Sequence, residues 1–209
     1  MRGDTAVKSP FLAVVLVVAT LAVTGCAATR PTSYYLLEPV PEALRSGDSR
    51  QDCLTIGIRP VEIPSYLDRR QILVRTDENR LVVSELDQWA EPLDESIARV
   101  AARNLEALTC ARVVRLVPGR RAGPADYVLE VRVHRMEAGP GDEAILDASW
   151  RISEARGGKT LVSRESRFAR PADTRSYPSL VQAHSELVGE LCREVAQSVE
   201  TLAAGHERR

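Results

Sequence analysis

Apolar residues alternate with polar ones in several stretches of the chain, the period of a strand with one buried face. Leu54, Ile56 and Ile58 alternate within "CLTIGIRPVEI", residues 53–63. Pro60 cannot donate to a ladder and marks an edge, a bulge or the end of that strand. "QILVRT" and "RLVVSE" flank the polar Asp77-Glu78-Asn79 and predict a hairpin. "YVLEVRVHR" from Tyr127, "AILDASWRI" from Ala144 and "KTLVSRESRF" from Lys159 predict an antiparallel meander. Gly157-Gly158 between the last two suits a tight two-residue turn with positive φ. Alternation in these strands implies one buried face and one that is wet or faces a partner. "YYLLE", residues 34–38, predicts a first strand and "ARVVRLV", from Ala111, a short one.

The period changes at Pro92. Leu93, Ile97, Val100, Ala101, Leu105 and Leu108 fall three and four apart, one stripe of a helix. Asp94 and Glu95 lie in its first turn, where carboxylates favour the positive end of the dipole. A longer stripe, Leu180, His184, Leu187, Leu191, Val195 and Leu202, predicts a second helix over about residues 178–203. The expectation is an α+β single domain: a mixed, largely antiparallel sheet with two helices packed on one face.

The run Phe11–Val23 has neither period and carries no charge. At about 13 residues it fits a signal-peptide core rather than the roughly 20 needed to span a bilayer. Arg2 and Lys8 precede it, and Val23-Thr24-Gly25-Cys26 follows. That order resembles a bacterial lipobox. The resemblance implies cleavage between Gly25 and Cys26 and acylation of Cys26. Ala27 stands where an inner-membrane retention signal would place Asp, so the implied location is the outer membrane, periplasmic face. The expected organisation is a signal peptide over 1–25, a tether over 26–33 and a domain over 34–205. From Cys26 to Tyr34 the tether reaches at most about 28 Å at 3.3–3.6 Å per residue. The domain must therefore sit against the membrane.

Loss of residues 1–25 removes two of 28 basic and one of 29 acidic residues, leaving 26 against 28, a net charge of −2. A nucleic-acid partner, which favours a basic patch, is not expected. Hydrophobic content of 44% suffices for a core, and aromatics at 4% make it mainly aliphatic. Beyond Cys26 lie Cys53, Cys110 and Cys192. Cys53 opens a strand and Cys110 closes a helix, making them the pair to test for a disulfide; the alternative is three buried thiols. His134, His184 and His206 have no second ligand at metal spacing, and no nucleophile elbow, phosphate loop or zinc-protease motif occurs. No catalytic residue, metal or cofactor is expected.

Two further stretches exceed patterning: "RPVEIPSYLDRRQILVRT", Arg59–Thr76, and "LDQWAEPLDESIARVAARNL", Leu86–Leu105. With the lipobox, "YYLLEP", "DYVLEV", "GPG", a Trp-bearing strand and a final helix, their order resembles the auxiliary lipoproteins of ABC-type and paraquat-inducible transport systems (PqiC/YmbA-like). The resemblance implies a non-enzymatic subunit of intermembrane lipid transport. The implied partners are an MCE-domain periplasmic protein with its inner-membrane permease or integral membrane protein, and copies of itself in a homo-oligomeric ring. The competing assignment is an outer-membrane assembly or cell-wall-associated lipoprotein. Candidate interface residues are Tyr66, Asp68, Arg69 and Arg70 in "PSYLDRR", and Trp89, since aromatics and Arg dominate interface energetics. The alternative for Trp89 is a plug for the end of the sheet.

Overall fold

The computed structural model describes residues 30–41, 53–116, 125–139 and 141–206. The chain divides after Pro31 into two units. All of the first but Arg30 and Pro31, including the signal segment, Gly25 and Cys26, lies outside the described residues. From Thr32 onward the elements are β1 (Ser33–Tyr35), β2 (Leu54–Ile58), β3 (Gln71–Asp77), β4 (Arg80–Trp89), α1 (Leu93–Leu108), β5 (Ala111–Arg115), β6 (Tyr127–Gly139), β7 (Glu143–Glu154), β8 (Thr160–Pro171) and α2 (Tyr177–His206). Among the described residues these elements form one mixed eight-stranded sheet and two helices.

Strand β6 organises the sheet. It pairs antiparallel with β7 from end to end, and β7 pairs antiparallel with β8. The other side of β6 is shared. Near its start β2 joins in parallel, from Ile56↔Tyr127 to Ile58↔Leu129, and near its end β3 joins at Val74↔Ala138. Parallel β5 extends the first branch; antiparallel β4 and then parallel β1 extend the second. Pro60 stops β2 as its missing N–H requires, and the chain returns to the sheet only at an isolated Glu62↔Arg132 bridge.

The inward residues are those the alternation selects. Leu129, Val131 and Val133 of β6 and Ala144, Leu146, Ala148, Trp150 and Ile152 of β7 are buried with the stripes of both helices. A register shift between Val133 and Arg135 then changes the phase, so Met136 and Ala138 carry the inner face onward. The expected strand ended at Arg135; the bulge lets it run to Gly139. Between β7 and β8 the expected two-residue turn is a longer loop over 155–159. Both glycines do take positive φ (88° and 68°), and the Ala155 N–H is anchored on the Asp126 carbonyl.

Helix α1 starts at Pro92 without a side-chain cap and ends at Thr109, whose backbone is extended. The Thr109 hydroxyl donates to the Leu105 carbonyl (2.7 Å) and accepts from the Ala111 N–H (3.1 Å). This turns the chain into β5 and sets Cys110 beside Cys53. The two are joined in a disulfide, with Cα atoms 5.5 Å apart. Cys192 is free and buried, and burial pushes its thiol up to about 12.

Beyond Tyr35 the chain leaves the sheet, so β1 is shorter than "YYLLE" suggested. Residues 36–41 instead form a strap held by both helices. Arg99 of α1 donates to the Leu37 carbonyl (2.9 Å), and Asn104 Oδ1 accepts from the Val40 N–H (2.9 Å). Ser185 Oγ of α2 accepts from the Glu38 N–H (3.1 Å). Leu37 and Val40 are buried beneath, Val40 so close to Gly189 that a Cβ there would stand 2.4 Å from Val40 Cγ1. Along β8 the contact with α2 is polar: Arg170 bonds Glu186 and Glu190, and Ser166, accepting from Trp150 Nε1, donates to Glu194.

Candidate functional site

The "PSYLDRR" loop folds as a tight turn because its backbone closes on itself. Leu67 N–H donates to the Pro64 carbonyl (2.9 Å) and Asp68 N–H to that of Ser65 (3.3 Å). Leu67 is buried and pins the loop to the core. Asp68, Arg69 and Arg70 are exposed beside it. Tyr66 lies half-buried on the outer, helix-free face, where its hydroxyl donates to the His134 carbonyl (3.3 Å).

Tyr66 covers a polar cluster. Glu137 of β6 has a fully buried side chain, paired with Arg75 of β3 and, at 3.3 Å, with Arg135. Arg135 also reaches Asp147 of β7 (3.6 Å), which Arg167 of β8 approaches at 3.4 Å. Burial pushes the Tyr66 phenol up to about 12; the nearby Glu137 carboxylate adds to the effect, and Arg75 and Arg135 oppose it. The hydrogen bond from Arg75 to Glu137 raises the Arg75 pKa further. A buried carboxylate is tolerated only when paired in this way. Next to the cluster is an open groove of about 460 Å³, lined by Arg75, Arg135 and Arg167 and by Glu78, Glu143 and Ile145. Further along the same face Arg132 pairs with Glu62 (2.6 Å), Arg59 with Glu130 (2.8 Å), and Arg151 with Glu130. The face is a ladder of both signs, suited to a polar partner or to water.

Trp89 is not part of this surface. It is 5% exposed, tilted against the ring of His184 with centroids 6.3 Å apart. The interface candidacy of Trp89 is corrected here: as the last residue of β4 it is covered by β1, paired through Tyr35↔Trp89. Its backbone is tied to the loop, the N–H donating to the Arg70 carbonyl (2.6 Å). His184 is fully enclosed, its ring nitrogens without a well-formed hydrogen bond although the Glu137 backbone lies close by. Burial pushes it down to about 4, opposed in part by the backbone and charge of Glu137.

The sequence motif singles out Tyr66 and its charged neighbours but gives no sign of Glu137, Arg75 and Arg135 beside them. Glu137 lies past the expected strand end, and no period marks a carboxylate that the bulge will bury. Among the described residues no group of three or more His, Cys, Asp or Glu is placed to hold a metal ion. Among them also, no helix is long and apolar enough to cross a membrane.

The sheet thus carries two helices on one face and a charged face beside the loop of residues 64–70 on the other. The model of the ABC-type transport auxiliary lipoprotein component family matches residues 34–196, and the chain belongs to that family. It is 21% identical to the intermembrane transport lipoprotein PqiC of Escherichia coli K12, over 88% of this chain and 96% of that protein. The Shigella flexneri protein of the same name matches equally. The crystal structure of protein XCC0632 from Xanthomonas campestris has the same fold, with a TM-score of 0.67 at 17% identity, covering 85% of this chain and all of that one.

Proposed function

We propose that the chain is a lipid-anchored subunit on the periplasmic face of the outer membrane. It docks an MCE-type conduit, itself served by an inner-membrane permease or integral membrane protein, and catalyses no reaction. Copies assemble into a ring around the conduit's end. Family membership over residues 34–196 carries this reading. The Val-Thr-Gly-Cys sequence supports Cys26 as the acylated residue, and the bilayer then lies within about 28 Å of β1.

The docking surface is the loop bearing Tyr66, Asp68, Arg69 and Arg70. Its charged side chains are exposed while Leu67 holds the backbone, so it presents a fixed shape at little ordering cost on binding. The test is capture of the conduit protein by the lipidated chain. Arg69→Glu with Arg70→Glu touches only exposed positions and should abolish capture with the thermal midpoint unchanged; Tyr66→Ala with Arg69→Ala should weaken it. Full capture by both double variants would remove the loop from the interface.

A further inference from the structure

The strap, α2 and Arg170 of β8 line an open groove that the polar face does not share. It measures about 660 Å³, within the range of small-ligand sites. Its apolar wall is Leu36, Pro39, Val40, Pro178 and Val181. Leu36 is 43% exposed, and Tyr34, on the same side of the chain, is 60% exposed. These are two of only four large hydrophobic side chains exposed among the described residues. Both lie where the tether enters the fold. The groove rim carries charges of both signs: Glu38 and Glu186 against Arg170 and Arg193.

We infer that this groove takes one acyl chain of a bilayer phospholipid, its headgroup left at the groove mouth. The inference rests on the reading that Cys26 carries the anchor. A tether of about eight residues keeps the groove mouth within reach of the bilayer, so its lipid concentration is effectively that of the membrane. Burial of one chain removes apolar surface at roughly 0.8 kcal/mol per methylene, set against the similar burial that the chain leaves behind in the bilayer. Exchange is therefore near balance, as a surface that passes lipid onward requires. At the rim Arg170 is already paired with Glu186 and Glu190, so the apolar wall rather than the rim selects the ligand.

The test uses the processed, acylated chain in vesicles of phosphatidylethanolamine and phosphatidylglycerol, doped with phosphatidylethanolamine bearing a diazirine at the acyl terminus. After irradiation, peptides are mapped by mass spectrometry. Adducts on residues 35–41 and 178–193 are expected. Leu36→Glu should cut their yield about tenfold by placing a charge in the apolar wall. Gln182→Trp, at an exposed groove position, should do the same by filling the space. Flotation and the thermal midpoint should stay unchanged in both. A chain that floats with the vesicles but is unlabelled on both segments overturns the groove and leaves the anchor standing; the protein's own acyl group filling the groove would give that result. A chain that does not float overturns the anchor and the groove together.

Discussion

His184 offers the sharpest test of the packing. It sits on the buried stripe of α2, 1% exposed, against Trp89 and beside Glu137 of β6. In the unfolded chain it binds a proton near 6.5; in the fold, burial holds that proton off until about 4. Between those values the unfolded state carries one proton more than the native state, so stability falls as the pH is lowered. Each pH unit is worth 1.36 kcal/mol, so the loss is about 2 kcal/mol by pH 5 and about 3 kcal/mol by pH 4. Above 6.5 the contribution is constant. His184→Leu removes the titrating group and two buried nitrogens that lack well-formed hydrogen bonds. Urea denaturation of both proteins at pH 7.5, 6, 5 and 4.5 measures the difference. Other groups also titrate: burial raises the Glu91 carboxyl, but bonds from Ser96 and Arg99 outweigh it and hold it low. Such groups are common to both proteins and cancel. The variant should be as stable as the parent at pH 7.5 and gain on it by about 1.4 kcal/mol per unit below 6.5. Parallel curves through pH 5 would mean that His184 is wetted or partnered in the fold, and the reasoning would fail.

The Cys53–Cys110 disulfide spans a sequence separation of 57 residues, and chain-entropy arguments give such a loop about 4 kcal/mol. Reductant, or Cys53→Ser with Cys110→Ser, should lower the urea midpoint accordingly; an unmoved midpoint would show that the bond adds nothing. Gly189→Ala drives a methyl into Val40, which Asn104 holds in place. A loss of about 1–3 kcal/mol is expected by calorimetry, and a neutral result would show that the strap is loose. Glu137→Ala leaves Arg75 and Arg135 without their shared partner. Both are part-exposed, which keeps the expected loss to about 2 kcal/mol, below that for breaking a fully buried pair; denaturant unfolding would measure it, and an unchanged midpoint would mean that the pair contributes nothing.

Much of the fold was readable along the chain because burial on one face leaves a local record. The alternation of Leu129, Val131 and Val133, and the three-and-four spacing of Leu93, Ile97 and Val100, state which side of each element is covered. The change of period at Pro92 placed the first helix. The order of short motifs sufficed for the family. These are properties of neighbouring residues, and the sequence alone determines them.

What covers each face is decided elsewhere. Nothing near Trp89 distinguishes a surface anchor from a core plug; β1 and His184, far away in the chain, bury it. The strap continues a strand-like sequence, and bonds from Arg99, Asn104 and Ser185 with the burial of Leu37 and Val40 draw it off the sheet. Glu137 falls beyond the expected strand and is buried only because the bulge carries β6 onward and Arg75, Arg135 and Tyr66 close over it. Two branches can share one side of β6 because the tertiary fold brings β2 and β3 to opposite ends of a long strand. Periodicity records that a side chain is buried, whereas its partner is chosen by contacts tens of residues away, and those exist only once the chain has closed on itself.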